Sequence, residues 1–489
     1  MNRTGSKGGD AASTLPLGAS AVEAVSAAAA PSLPASFDSL LGYSRTMLLQ
    51  GPMGPFFRRL ADVLRQQGQE VWKVNFNGGD AFFFRGPQAL QFREDGEHWP
   101  AWLEQRLREL RIDAIVLFGQ SRDIHRQAIA VARRLCVAVY VFEEGYLRPN
   151  YVTLEPGGVN AASALPRQAE FYLAQAASQP ARPTPTRQRF PLMALYATLY
   201  SWAMLLQRSR FPHHEYHRPL HPVTQALSWI RGGARKLWYG WSERNALQRL
   251  SAPALDRQWF LVPLQVHNDS QIHYHSPYRS IPAVIEEVMY SFALHAPRHQ
   301  HLVFKHHPMD RAYCDFGRFI ADKARELEVE DRVHYVHDVH LPSLLKHARG
   351  VVTVNSTSGL QALYHGTPVH TLGDCLYDIP GLVHQGTLAD FWHQPGSVDH
   401  ELYLRFRAHL VRQTQLNASF YADTPAFEQL QRMAEARTAY LAHVRRMAHR
   451  TSEARPARSF EPTDRPSASP PARPMAGLPA TERAYTSSD

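Results

Sequence analysis

The sequence predicts an α/β protein built from two doubly wound, Rossmann-like halves facing a cleft, with a disordered tail at each end. Three observations carry this. Short apolar runs alternate with amphipathic helical stretches over 44–150, and the pattern repeats over 259–373. The connections between them are short, as parallel strands joined by helices require. After nearly every predicted strand comes a polar loop, of the kind that gathers at the carboxyl edge of a parallel sheet, where ligands bind.

In the first half, 45–50 reads as a buried strand. Residues 55–67 read as a helix with Phe56, Phe57, Leu60, Val63 and Leu64 inward, opened by Pro55 and ended by Gly68. Strands follow at 71–76, 112–118 and 137–142, with helices at 99–110 and 123–135. The loops after these strands hold Gln50, Gly51 and Gly54, then Asn77 and Asp80, then 119–123, and finally Glu143, Glu144, Gly145 and Arg148. In the second half, strands are expected at 259–266, 301–305, 333–336, 351–354 and 368–372. Helices are expected at 281–295, 311–327, 341–348 and 359–364. Residues 400–449 look helical and are expected to pack back across both halves. Two such domains facing a cleft form the glycosyltransferase-B architecture. The divisions are a tail at 1–43, a first domain at 44–185, a helical connector at 186–250, a second domain at 251–399, helices at 400–449 and a tail at 450–489.

Composition bounds the function. The chain has 489 residues, 44% of them apolar, so large cores are possible. Its three cysteines, Cys136, Cys314 and Cys375, are far apart, which argues against a disulfide scaffold, a zinc ribbon or an iron–sulfur site. A formal charge of +9 favours anionic partners without choosing among them. Asp10, Pro16, Gly18 and Glu23 interrupt every apolar run near the N-terminus, so no export signal is expected. The uncharged stretch Phe190–Leu206 has 17 residues, at the lower limit for a membrane span. The favoured reading is a buried helix packing on a domain. The alternative is an interfacial helix with arginines on lipid phosphates.

Several polar groups carry chemistry. Asn355, Ser356, Thr357, Ser358 and Gly359 lie between a strand and a helix, where unpaired N–H groups and hydroxyls suit a nucleotide phosphate. The same residues also make an ordinary helix cap. Lys305, His306, His307 and Pro308 end a strand, and Lys305 with one imidazole would hold a phosphate and protonate or stabilise it as it leaves. Glu143 and Glu144 stand at the carboxyl edge of the other half, where one would activate an acceptor hydroxyl or attack an anomeric carbon. A solvated turn is the alternative. Adjacent carboxylates repel, which would raise at least one pKa unless Arg148 compensates. Gln265, Asp269, Gln271, His273, His275 and Ser276 form a dense polar loop. No third ligand stands at motif spacing from the two histidines, so substrate hydrogen bonding is expected there rather than a metal. Nothing resembles a nucleic-acid motif.

The strings LLQGPMGPFFRRLADVL, VNFNGGD, VFEEGYLRPNYVTLEPGGVN, PLQVHNDSQI, FKHHPMD, VNSTSGLQALYHGTPV and YDIPGL occur in this order over 48–421. They resemble the capsule polysaccharide biosynthesis/export family of Gram-negative bacteria, in particular its single-module members that start the poly-Kdo linker of lipid-anchored capsules. The resemblance implies a retaining β-Kdo transferase that uses CMP-β-Kdo and no further cofactor or metal. The acceptor would be (lyso)phosphatidylglycerol at the cytoplasmic face of the inner membrane, with other capsule biosynthesis and export proteins as partners. The family's acidic motif matches Glu143, Glu144 and Gly145, which carries the catalytic carboxylate to Glu144 with Glu143 as runner-up. Its HP motif matches His307 and Pro308, which gives His307 the CMP phosphate with Lys305 in support. Its hydroxyl-rich helix start matches Ser356, Thr357 and Ser358. Relatives that extend the linker have Asp where this chain has Glu. The rival reading is a non-catalytic export factor that binds the glycolipid or the transporter.

Overall fold

A computed structural model describes residues 33–176, 180–187, 190–213, 222–268, 272 and 275–453. Asp269, Gln271 and His273, and the tails at 1–32 and 454–489, lie outside the described residues.

The first half opens with α1 (Ala35–Leu41), β1 (Arg45–Leu48), α2 (Phe56–Gln66), β2 (Glu70–Asn75), α3 (Gly78–Phe83) and β3 (Ala89–Gln91). It continues with α4 (Trp99–Glu109), β4 (Ala114–Phe118), α5 (Asp123–Arg134), β5 (Ala138–Glu144) and β6 (Val152–Pro156). Then come α6 (Ala169–Leu173), α7 (Phe190–Leu206), α8 (Pro222–Ser242) and α9 (Ala246–Leu250). The second half contains β7 (Trp259–Pro263), α10 (Ile281–His295), β8 (His301–Lys305), α11 (Gly317–Glu326), β9 (Val333–Val336), α12 (Leu341–His347), β10 (Gly350–Thr353), α13 (Thr357–Tyr364) and β11 (Val369–Thr371). The chain goes on through α14 (Leu388–His393), α15 (His400–Thr414), β12 (Gln415–Leu416) and α16 (Pro425–Glu453).

Both sheets are doubly wound. The first runs β12-β6-β5-β4-β1-β2-β3 and the second β11-β10-β7-β8-β9, each with parallel strands around its first strand. In each, chain order reverses beside that strand, between β1 and β4 and between β7 and β10. This is the two-Rossmann architecture of the glycosyltransferase-B class. The apolar runs explain why both faces are covered. Met47, Ile115, Leu117 and Val141 pack on one face of the first sheet, and Leu48, Val116, Tyr140 and Phe142 pack on the other. The second sheet divides likewise, with Leu261, Val303 and Val351 opposite Phe260, Val262, Phe304 and Val352.

Two features depart from the expectation. β5 extends to Glu144 because β6 pairs with it antiparallel, placing Glu143 opposite Thr153 and Glu144 opposite Val152. The acidic pair therefore ends a strand rather than lying in the following loop. Beyond residue 400 the chain also adds to the first sheet. β12 pairs with β6, and Phe420 and Phe427 pack on Phe56 at centroid distances of 4.8 and 5.3 Å. Both sheets lie in one compact unit reaching Ala434.

Candidate functional site

In doubly wound sheets the ligand crevice opens where the strand order reverses, at the carboxyl ends of the strands. In the second half that point is bridged by side chains. Gln265, after β7, donates from Nε2 to Asn355 Oδ1 at 3.1 Å, and the Asn355 N–H donates back to Gln265 Oε1 at 3.4 Å. Asn355 Nδ2 reaches the His275 carbonyl at 3.3 Å. Ser276 donates to the Ile272 carbonyl and accepts from Tyr278 N, so it shapes this loop as a turn.

Just beyond Asn355, the Ser356 hydroxyl accepts from Ser358 N at 3.2 Å and caps α13. The capping role holds for Ser356 alone. The Ser358 hydroxyl is buried with no hydrogen-bond partner among the described residues. Such a group is costly unless something completes it. Gly359 has a packing reason, since a Cβ there would lie 2.3 Å from the Tyr377 hydroxyl, which itself donates to the Ser356 carbonyl.

The end of β8 supplies the second wall. Lys305 is buried and donates to the carbonyls of His306 and His337 at 3.3 and 3.0 Å. Burial pushes its ammonium down to about 8, against Asp338 and Glu243, which favour the charge. His306 is buried against Tyr335, whose hydroxyl it meets at 2.6 Å. His307 is half-buried, and its Nδ1 accepts from Met309 N at 3.2 Å. Burial pushes its pKa down to about 4; Asp310 opposes this, while Arg148 and Lys305 add to it. A neutral ring whose Nδ1 accepts must carry its proton on Nε2. His307 thus presents a neutral N–H donor suited to stabilising a leaving phosphate rather than protonating it, and Pro308 begins the short turn behind it.

Arg148 belongs to the other half, four residues after Glu144, and its charge acts on His307, so the loop after β5 stands near the end of β8. Successive strand residues point to opposite faces. Glu143 and Glu144 therefore diverge and do not form a side-by-side dyad. The Glu143 carboxylate accepts from Glu144 N at 3.0 Å. The Glu144 carboxylate is half-buried and makes no hydrogen bond or ion pair among the described residues. Gly145 is sterically required, because a Cβ there would lie 2.0 Å from the Tyr151 carbonyl oxygen.

Other residues expected to touch substrate also have partners within the protein. Asn77 caps α3 and donates to the Tyr200 hydroxyl at 2.8 Å, and that hydroxyl donates to Asp80 at 3.0 Å. Gln50 is buried, bonded to Arg122 at 2.7 Å and to Tyr200. A Cβ on Gly51 would meet the Phe57 ring, and one on Gly54 the Tyr196 ring. Gln50, Gly54, Asn77 and Asp80 seat α7, which crosses α3 closely: a Cβ on Gly78 would lie 2.3 Å from the Ala203 carbonyl. One flank of α7, with Ala197, Tyr200, Ser201 and Ala203, is buried, while Leu195, Trp202 and Leu206 are exposed. The helix is therefore only half a core helix, and none of the described helices is long and apolar enough to cross a membrane.

Two groups escaped the sequence reading. Glu155 on β6 is buried and accepts from Tyr146 Oη at 2.6 Å and from Ser163. Burial pushes its carboxyl up to about 7 despite those bonds. Tyr146 follows the acidic pair by two residues, so Glu155 braces that loop. The alternation of Thr153 and Glu155 with apolar neighbours marks a strand, but nothing in it reveals the tyrosine partner. Asp310 is fully buried and accepts from both the backbone N and Nδ1 of His267, at 2.6 and 2.7 Å. His267, Asp310 and Cys314 each bring one potential metal-ligand atom within 4.8 Å of the others. Both Asp310 oxygens are already bonded to His267, and burial pushes the Cys314 thiol up, so the trio fits a hydrogen-bonded brace rather than a cation.

A profile of the family described as "Capsule polysaccharide biosynthesis protein" matches residues 113–421, more than half of the chain. The chain is 41% identical over 390 residues to the "Capsule polysaccharide export protein KpsS" of Escherichia coli, covering 78% of this chain and 98% of that protein. It is 40% identical over 383 residues to the "Capsule polysaccharide modification protein LipB" of Neisseria meningitidis, covering 77% and 91%. Among solved structures, a Thermosulfurimonas dismutans KpsC β-Kdo 2,7-transferase matches at 16% identity, covering 81% of this chain and 100% of that chain. Its TM-score of 0.36 is too low to relate individual residues. The profile match and the two relatives together place this chain in the capsule polysaccharide biosynthesis protein family.

Proposed function

We propose that the protein is a retaining β-Kdo transferase. It moves Kdo from CMP-β-Kdo to a (lyso)phosphatidylglycerol acceptor and so starts the poly-Kdo linker of a lipid-anchored capsule. The observation that carries this reading is a set of phosphate donors in one half together with a carboxylate, Glu144, at the strand end of the other, unpaired among the described residues. This phosphate wall combines the capped start of α13, the Ser358 hydroxyl, which has no partner among the described residues, and the His307 Nε2–H.

The chemistry follows from these groups. The CMP phosphate is taken up by the α13 N-terminus, Ser358 and His307, groups able to donate to developing negative charge. The Glu144 carboxylate attacks the anomeric carbon, and the bond to the phosphate oxygen breaks with its electron pair leaving on CMP. The lipid hydroxyl then displaces the carboxylate from the opposite side and releases its proton to solvent, so two inversions give net retention. No metal or further cofactor is required, because helix N–H groups and His307 stabilise the leaving phosphate. Work on a lipid acceptor places the protein peripherally on the inner membrane, beside other capsule enzymes and export components.

The test is transfer from CMP-β-Kdo to a fluorescent lysophosphatidylglycerol by wild type, Glu144→Ala and His307→Ala. Product from wild type alone is expected. Equal product from all three would remove the residue roles while leaving the activity. No product from folded wild type with fresh donor would favour a non-catalytic export factor or an enzyme that uses another sugar donor.

A further inference from the structure

The helix α8 is amphipathic in the reverse of the usual sense. Gln225, Ser228, Gly232, Arg235 and Tyr239, spaced three or four residues apart, form one stripe, and this polar stripe faces the protein. Ser201 of α7 donates to Gln225 at 2.9 Å, Arg235 to the Arg311 carbonyl at 2.9 Å, and Tyr239 to Asp315 at 3.2 Å. Val223, Leu227, Ile230, Leu237, Trp238 and Trp241 occupy the opposite face, each between 56% and 78% exposed. A soluble surface helix turns its apolar stripe inward. Here the stripe points out for the whole length of the helix.

We propose that the outward face of α8, with the exposed flank of α7, is a docking surface for an anionic lipid bilayer. Charge identifies the occupant. The segments Phe190–Leu206, Arg208–Arg210 and Pro222–Ser242 contain five basic residues, Arg208, Arg210, Arg231, Arg235 and Lys236, and no Asp or Glu. Four of them are exposed, and only Arg235 is turned inward. Apolar side chains with tryptophans, bordered by cations, match the acyl boundary and phosphate layer of an anionic leaflet. A second copy of the chain meeting this face about a two-fold axis would set the same cations against each other. The proposal deepens the lipid-acceptor reading and rests on it for biological sense, but its geometry stands independently.

The experiment is vesicle flotation of the full chain with phosphatidylglycerol/phosphatidylcholine vesicles and with phosphatidylcholine alone, at low and high salt. Wild type is expected to float with the anionic vesicles, and less so at high salt. The exposed pair Ile230→Glu/Leu237→Glu is expected to lower partitioning at least about tenfold. The pair Arg231→Glu/Lys236→Glu is expected to abolish the preference for phosphatidylglycerol. Unchanged melting curves would show that both variants fold. Wild type that stays unbound, or a first pair that floats like wild type, would overturn the proposal. So would a wild-type dimer that the first pair turns into a monomer without altering flotation, because a second copy would then own the face. Transfer to a monomeric, short-chain acceptor in solution separates the two readings. Both variants are expected to retain it. Vesicle binding without any transfer would leave the docking surface and remove the transferase.

Discussion

Glu243 and His337 hold two parts of the protein together. The Glu243 carboxylate, just past the end of α8, accepts from Nδ1 of His337 at 2.7 Å and from the backbone N–H groups of His337 and Asp338 at 2.9 Å. Burial alone would raise its pKa, but those bonds prevail and hold the carboxyl below its usual range. Tyr239 stacks on the same imidazole at a centroid distance of 3.7 Å, and the His337 carbonyl accepts from Lys305. The exposed helix is thereby tied to the phosphate wall.

Removing that tie is predicted to cost both stability and donor affinity. Glu243→Ala leaves two amides and an imidazole without their acceptor, a loss of roughly 2–4 kcal/mol. Denaturant melts read this directly. Because the Glu243 pKa is depressed by folding, its contribution is present above the unfolded carboxylate pKa and fades as pH falls through the folded value. The gap between wild type and variant is therefore expected to narrow in acid. The KM for the sugar donor is expected to rise more than kcat falls, since the His337 carbonyl that anchors Lys305 is then held less firmly. An unchanged donor KM would mean that the tie does not reach the site.

The phosphate wall predicts an unusual pH profile. With His307 pushed down to about 4, the free enzyme keeps its neutral N–H donor throughout the range where histidine ordinarily titrates. With Lys305 pushed down to about 8, its positive charge is lost there instead. The kcat/KM profile is expected to be level from about 5 to 7.5 and to fall above 8. Stability moves the other way. Folding weakens the hold of Lys305 on its proton, so its contribution grows as pH rises from about 8 toward its ordinary 10.5. His307→Gln, which retains an N–H donor, is expected to keep more activity than His307→Ala. A limb near pH 6.5 that vanishes in His307→Gln would show instead that the imidazolium acts.

How much of this was legible follows from what each residue type encodes. The strands 301–305 and 333–336 and the helix 281–295 could be read to the residue, because apolar spacing and a Ser280 cap define them locally. The strand β6 could not, since its register depends on β5, and that pairing carried the acidic residues into the sheet. Sequence proximity made Glu143 and Glu144 look like a pair, whereas strand alternation separates them. Asn77 and Asp80 looked like ligands of a substrate because nothing local announces Tyr200, 120 residues away from Asp80. A buried polar group reads from sequence as chemistry until its tertiary partner is known.

Glu155 gives a stability prediction of the opposite sign to Glu243. Its carboxyl is raised to about 7 by burial, so the folded protein holds a proton that the unfolded chain releases near 4.5. The contribution is complete below the unfolded pKa and disappears as pH rises through 7. Glu155→Gln, which mimics the protonated form, is expected to match wild type below about pH 4.5. By pH 8 it should be more stable, by roughly 3 kcal/mol from the size of the shift. Melting temperatures measured across that range decide it. A variant less stable than wild type at pH 8 would mean that Tyr146 and Ser163 need the charged carboxylate.

Gly145 predicts how strictly the acidic strand end must be held. Its Cβ position lies 2.0 Å from the Tyr151 carbonyl oxygen, a backbone atom that no side-chain rotation can remove. Gly145→Ala must therefore push apart the segment joining β5 and β6, whose closure also depends on Tyr146 N and the Glu144 carbonyl meeting the Thr153 hydroxyl at 3.2 Å. The expected destabilisation is about 1–3 kcal/mol, the range for overpacking. The kinetic signature is more specific. The phosphate wall lies in the other half and is untouched, so donor binding is expected to persist while kcat drops, because a displacement of about 1 Å at a reacting carboxylate costs on the order of a hundredfold. Equal losses in donor affinity and turnover would show instead that the two halves are coupled through this loop, with Arg148 as the connecting residue.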